Sequence, residues 1–512
     1  MCSDGNSAAL PSPNSAPPRR YLTGFTRTEW LLLVAFAALS LWQASYHEPW
    51  RDEAHAWLIA RYAPSLSALF ATLGYEGTPG LWLLLLRGLC DLGLPYAAMF
   101  ALHTLIILAA AAIFLRYAPF STLLKGLCLF GYYLLFEYNV IARNYGISVL
   151  CLFLLAALYP LRFRRPWLYC GLLALLTQTN AHSDLLAASL GLWYCGELLF
   201  GPPARRRNAW IWVALGLPLL GLAAAAWQVR SPADLLPNLR DWQFTFQPEI
   251  LHQSVMQAFV TLPPFRPDFW NVSLVRAEGL ALPVWIGTCL FFARRPRVLG
   301  LYVLGSGLLL AFFMFKFSGY CRQHGFLYIW WIFCLWIAEG YPRLNLGGSS
   351  RRLAQWEGFL RWLLLLALLV QVVSAVPAVI FGARGVFSAG KPTAEFLLAA
   401  HLTGPDTLIA SVNWMTGESY LPYLDGIGAP IYHVDKRDYF PYHMNGQIST
   451  EGTLTGRVAE AETKVQAGHW GVARIVFIAP HGTIHSPPLR SFVCTSGNSE
   501  SFDLYISNRV SQ

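Results

Sequence analysis

Between Trp30 and Phe381 apolar side chains come in long runs, and the charged residues fall mostly between those runs. A helix needs about 17 to 25 apolar residues to cross a hydrocarbon core of roughly 30 Å. In lipid every backbone N–H and C=O must find its partner within its own segment, so runs of this kind are helices. The pattern predicts about eleven spans, at 30–46, 96–115, 119–138, 144–160, 166–180, 184–200, 208–228, 279–293, 298–316, 323–341 and 359–381.

One apolar run is too short and decides the topology. GLWLLLLRGLCDLGLPY, Gly80 to Tyr96, carries Arg87 and Asp91 and stops at Gly93 and Pro95. It reads as a helix lying along the interface with its charges reaching to water. The arginine clusters around 162–165, 205–207, 294–297 and 351–352 then all fall on the side of the N-terminus, as short cytoplasmic loops do. The opposite side receives the first outer loop, 47–95, the segments near 137–144, 180–184 and 319–325, the long loop 229–277, and the C-terminus.

From about Arg384 the period changes. TLIASV (407–412), IYHV (431–434), RIVFIA (474–479) and FDLYIS (502–507) are strand-like, and the helix-like segments 391–402 and 453–466 alternate with them. The chain divides into a disordered, cytoplasmic N-terminus (1–27), a transmembrane bundle (28–383) and an extracytoplasmic α/β domain (384–512). The expected fold class is an α-helical polytopic membrane protein with a small C-terminal α/β domain.

Composition agrees: the 512 residues are 55% hydrophobic, 15% aromatic and only 13% charged, with a mean hydropathy of +0.43. This is far more apolar than a soluble globular chain. The net charge of +9 sits in the short loops, which argues for membrane topology and against a nucleic-acid surface.

Candidate chemistry lies on the outer side. EPWRDEAHAWLIARY (48–62) places Asp52 and Glu53 just beyond the first span, and GYEGTPGLW (74–82) brings Glu76 onto the same loop. Paired carboxylates serve two chemistries: one acts as a general base towards an acceptor hydroxyl, or both share a divalent metal such as Mg or Mn, with Asp52 and Glu53 as ligands. The residues alone leave that choice open. EYNVIARNYG (137–146) places Arg143 near the surface, where its planar fork suits a phosphate. Arg322 and His324 stand at the outer end of another span, and TNAHSDLL (179–186) interrupts two apolar runs with His182.

RDEAHAWLIAR followed by EGTP and LWLLLLRGL resembles the first outer loop of the GT-C membrane glycosyltransferases, especially relatives of the protein O-mannosyltransferases and the bacterial lipid A aminoarabinose transferases. ARNYGISVLCLFLL and TNAHSDLLAASL are similar to further segments of that family, and CRQHGFLYIWW matches more weakly, lacking a proline usual there. The similarity covers roughly residues 25–340. It implies a transferase that passes a sugar from a polyprenyl-phosphate donor to a glycan, lipid or protein acceptor at the outer face of the bilayer. By resemblance Asp52 matches the catalytic aspartate, with Glu53 and Glu76 assisting acceptor or metal placement. Arg143 and Arg322 would hold the donor phosphate, with His55, Tyr145, His182 and His324 in the substrate's vicinity. Thr78 stands where a lysine is common. The expected location is a bacterial inner membrane. The rival reading is an ion-coupled transporter or flippase, which would keep its ionisable residues near the midplane or in paired repeats.

Overall fold

The computed structural model describes residues 24–233, 244–275, 279–344, 350–413, 417–424, 431–434, 437, 439, 454–466, 471–484, 486–497 and 500–508. The first helix, α1 (Arg27–Tyr46), opens with a reciprocal cap: the Thr26 hydroxyl accepts from Glu29 N at 3.2 Å and the Glu29 carboxylate accepts from Thr26 N at 2.9 Å. Two otherwise unpaired donors at the helix start are satisfied in this way.

The first outer loop, of which the sequence showed the interfacial helix after Gly80, folds as three helices: α2 (Arg51–Tyr62), α3 (Leu66–Glu76) and α4 (Leu81–Asp91). Gly77, at φ 62°, caps α3 in the left-handed region and turns the chain towards Pro79. The short apolar run is α4; Arg87 donates to Asp91 Oδ1 at 2.7 Å and to the Ala63 carbonyl at 2.6 Å, so one of its charges ties α4 back to α2.

Every predicted span contains a helix. They are α5 (Ala97–Tyr117), α6 (Thr122–Leu129), α7 (Tyr145–Leu158), α8 (Pro166–Leu176), α9 (Ala181–Leu199), then, after the short α10 (Pro203–Arg206), α11 (Ala209–Gln228). Within the long loop 229–277 lies α12 (Glu249–Phe259), followed by α13 (Ala281–Leu290), α14 (Pro296–Phe315), α15 (Cys321–Ala338) and α16 (Ser350–Arg384). Among the described residues, five helices are long and apolar enough to cross a bilayer: α1, α5, α11, α14 and residues 355–384 of α16. The predicted span 119–138 is divided, because α6 stops at Leu129 and the chain re-enters as a π-helical turn, Tyr133–Glu137.

The helices shuttle between two ends. At the basic end Lys125 meets Glu29, Arg162 meets Glu197, Arg294 meets Glu357 and Arg295 meets Glu339. At the loop end the starts of α2, α7 and α15 converge, and the C-terminal domain rests on α2. That domain is a mixed sheet of order β2-β1-β3-β5-β4, from β1 (Thr407–Ser411), β2 (Ile431–His433), β3 (Arg474–Pro480), β4 (Arg490–Phe492) and β5 (Phe502–Asn508). Strand β1 runs parallel to β2 and β3, and β5 runs antiparallel to β3 and β4. The helix Gly390–Ala399 (α17) and Leu58 of α2 share one core with the sheet, which fixes the domain to the outer loop.

Candidate active site at the loop end of the bundle

Two first turns and one irregular segment supply the site's charges. Asp52 and Glu53 are the second and third residues of α2, and Arg322 is the second residue of α15. Arg143 precedes α7. A carboxylate suits a helix start and an arginine does not, so Asp52 offsets the charge that Arg322 places there.

Asp52 is the hub. Its Oδ2 lies 3.3 Å from Arg322 Nη2 and 3.6 Å from Arg143 Nη1, and its Oδ1 lies 3.7 Å from Arg51 Nε. Arg143 also donates to the Asp52 carbonyl at 2.5 Å. Burial pushes the Asp52 carboxyl up, but Arg143, Arg322 and Arg51 outweigh it and hold the group below the ordinary carboxylate value. The side chain keeps 26% of its surface exposed, so it is reachable from outside.

Arg322 is held by aromatic faces more than by acceptors. Its guanidinium sits 4.9 Å from the Trp50 ring, 5.8 Å from Trp270 and 5.5 Å from Tyr320. Its Nε is buried and has no partner among the described residues. Trp270 is itself fixed by Glu137 of the π turn, whose Oε2 accepts from Trp270 Nε1 at 3.2 Å and from Tyr132 at 2.8 Å. Tyr145, first residue of α7, accepts from Gln323 at 3.0 Å and lies beside Arg322.

Glu53 faces elsewhere. It is fully buried; its Oε2 accepts from Trp50 N at 3.1 Å and its Oε1 from Ala142 N at 2.7 Å, and His47 lies 2.9 Å from Oε2. An unpaired carboxylate there would cost several kcal/mol; paired, it clamps α1, α2 and the Arg143 segment together. The Asp52 and Glu53 pair does not fit a shared divalent metal, because one carboxylate is ringed by arginines and the other spends both oxygens on the protein. Among the described residues no group of three or more His, Cys, Asp and Glu side chains is placed to hold one.

Glu76 and His55 form a second cluster. His55 Nε2 lies 2.7 Å from Glu76 and its Nδ1 2.8 Å from Glu418 of the C-terminal domain. Burial pulls the imidazole towards neutrality, yet the two carboxylates overcome it and raise it well above its ordinary value. The imidazolium therefore bridges loop and domain. Glu500 makes the same kind of joint, accepting from Arg51 N at 2.8 Å and from Ser388 at 2.5 Å, and burial pushes its carboxyl up to about 8.

The two remaining candidate histidines, His182 and His324, lie inside the bundle. His324 spends both ring nitrogens, on Gln257 and on the Ser318 carbonyl, each at 2.7 Å. His182 is enclosed by Phe312, Phe313, Phe317 and Phe326, stacked on the last at 5.5 Å. Neither touches Asp52. Sequence reasoning missed Trp50, Trp270, Glu418 and Glu500. Trp50 adjoins the acidic pair and invited attention; nothing in the sequence links Glu418 to a histidine 363 residues away.

No family model matches the chain, and no curated protein does either. Among solved structures the chain is similar to ArnT from Cupriavidus metallidurans bound to undecaprenyl phosphate, at 14% identity and a TM-score of 0.50, covering 94% of this chain and 98% of that one. The apo form of that protein aligns at 15% identity with a TM-score of 0.47, over 94% of this chain and 98% of that one. The arabinofuranosyltransferase AftD from Mycobacteria aligns at 14% and 0.42, over 90% of this chain and 35% of that one. The likeness to ArnT, over nearly the whole of both chains, is one of fold, and it agrees with the architecture that the first-loop resemblance implied.

Proposed function

We propose that the protein is a glycosyltransferase that moves a sugar from a polyprenyl-phosphate carrier to an acceptor hydroxyl on a glycolipid, polysaccharide or protein. The observation that carries this reading is Asp52 reaching the surface between Arg143 and Arg322. Undecaprenyl phosphate bound to the structurally similar ArnT fits the same donor class.

The arginines hold Asp52 only loosely, at 3.3 and 3.6 Å, and Arg322 has a donor to spare. A carrier phosphate is a better partner for two guanidinium forks than one carboxylate. When the phosphate takes them, Asp52 loses the charges that depress its pKa and becomes the stronger base. It then accepts the proton of the acceptor hydroxyl as that oxygen bonds to the sugar's anomeric carbon. The bond from that carbon to the phosphate oxygen breaks, and the arginines stabilise the charge left on the polyprenyl phosphate. A single displacement of this kind inverts the anomeric centre. Glu53, His55 and Glu76 act by position: they hold α2 and the C-terminal domain so that Asp52 faces its opening.

The arginine-rich turns gather at the opposite end of the bundle, which supports a cytoplasmic basic end and an extracytoplasmic site; in a bacterium this is the periplasmic face of the inner membrane. A transporter reading is disfavoured because the candidate groups collect at one end instead of the midplane. The test supplies membranes with radiolabelled polyprenyl-phosphate sugars. Label should pass to acceptor with the wild-type protein and not with Asp52→Asn at equal expression. Equal transfer by both removes Asp52 from the chemistry.

A further inference from the structure

The basic end contains a cleft of about 360 Å³ between the start of α6 and the neighbouring ends of α13, α15 and α16. Its floor is apolar, with Leu124, Phe291, Leu335 and Leu364. Its rim carries Arg294, Arg295, Arg343 and Arg361 against only two carboxylates, Glu339 and Glu357. Glu357 is shared by Arg294 and Arg343, and Glu339 is taken by Arg295 at 3.1 Å. Arg361 is exposed and has no partner among the described residues. Trp356 stands at the same rim, and the neighbouring Phe359 and Trp362 of α16 turn outward, as side chains at the edge of a bilayer do.

We propose that this cleft is a binding site for an anionic phospholipid of the inner leaflet. The surplus of arginine over carboxylate calls for an anion, and the apolar floor directly beneath calls for acyl chains. A lipid phosphate satisfies both, with Arg361 as its free cation. A basic pocket between transmembrane helices beside an anionic leaflet is where such headgroups settle. The site lies at the other end of the bundle from Asp52 and takes a structural lipid, separate from the transfer reaction.

Native mass spectrometry of the full-length protein, released from nanodiscs of phosphatidylglycerol mixed with phosphatidylcholine, tests this. The protein should retain phosphatidylglycerol in preference. Arg361→Ala should weaken that retention about fivefold, the factor for a surface charge worth ~1 kcal/mol, and Arg361→Glu should weaken it further. Added inorganic phosphate should not displace the lipid. Equal retention of the two lipids, unaltered retention by both variants, or displacement by inorganic phosphate would each overturn the proposal. Arg361 makes no contact that folding depends on among the described residues, so both variants report on the lipid.

Discussion

Two arginines, the part-buried Arg162 at one end of the bundle and the buried Arg322 at the other, show how the same side chain is used in two ways. At the basic end Arg162 is fully employed. Its Nε and Nη2 grip Glu197 at 2.8 to 3.0 Å, its Nη1 donates to the Tyr159 carbonyl at 2.7 Å, and its plane lies 3.9 Å over the Tyr159 ring. At the loop end Arg322 has one long contact to Asp52 at 3.3 Å, the Tyr145 hydroxyl beside it, three aromatic faces and a buried Nε with no partner among the described residues. A buried donor left unmade costs about 1 to 3 kcal/mol. A satisfied ion pair of this sort is a fastening. An arginine kept short of acceptors in a reachable place is ready for an anion the protein does not itself supply.

That contrast breaks first at Asp52. Asp52→Asn should reduce transfer by about two to four orders of magnitude, the usual worth of a positioned base, as measured by label reaching acceptor. Next, Arg322→Lys keeps the charge but loses the fork. It should raise the donor KM by about tenfold or more with a smaller change in kcat, since a bidentate grip is replaced by a point charge. Arg162→Ala should do the reverse: stability in detergent should fall by about 1 to 3 kcal/mol, because the part-buried Glu197 carboxylate keeps only Tyr341 as a partner among the described residues, while the donor KM of the folded fraction stays unchanged. A donor KM that moved with Arg162 and not with Arg322 would invert the comparison.

The smallest effect concerns the joint between loop and sheet. The Glu500 carboxyl, raised to about 8 by burial, binds its proton more tightly folded than unfolded. Its contribution to stability is full below its unfolded value of about 4.3 and is lost as pH rises towards 8. Thermal melts between those limits should therefore decline with pH, and Glu500→Gln should flatten the slope.

The bundle was legible because lipid demands uninterrupted apolar helices, and the runs at 97–117, 209–228 and 296–315 announce themselves. The division of 119–138 was not legible: LCLFGYYLLF runs on without a charge, and only Glu137 beyond it, which in space reaches Trp270 far along the chain, marks where the π turn ends. The same reasoning separates the site residues. Asp52, Arg143 and Arg322 stood out as charges at the ends of spans, and they meet in space. Glu53 looked like the twin of Asp52, yet consecutive residues of a helix point about 100° apart, and one turns outward while the other caps α2 and clamps Ala142. Single histidines carried the least information. His55 bridges two carboxylates, His324 is hydrogen-bonded core and His182 sits among phenylalanines, and nothing local distinguishes the three.

The most direct test of the central claim is the affinity of the purified protein for polyprenyl phosphate with and without the Asp52 carboxylate. If Asp52 occupies the arginines until the carrier phosphate arrives, Asp52→Asn should bind polyprenyl phosphate more tightly than the wild type, by about tenfold, while losing transfer. Binding that is unchanged or weaker in Asp52→Asn would contradict the account.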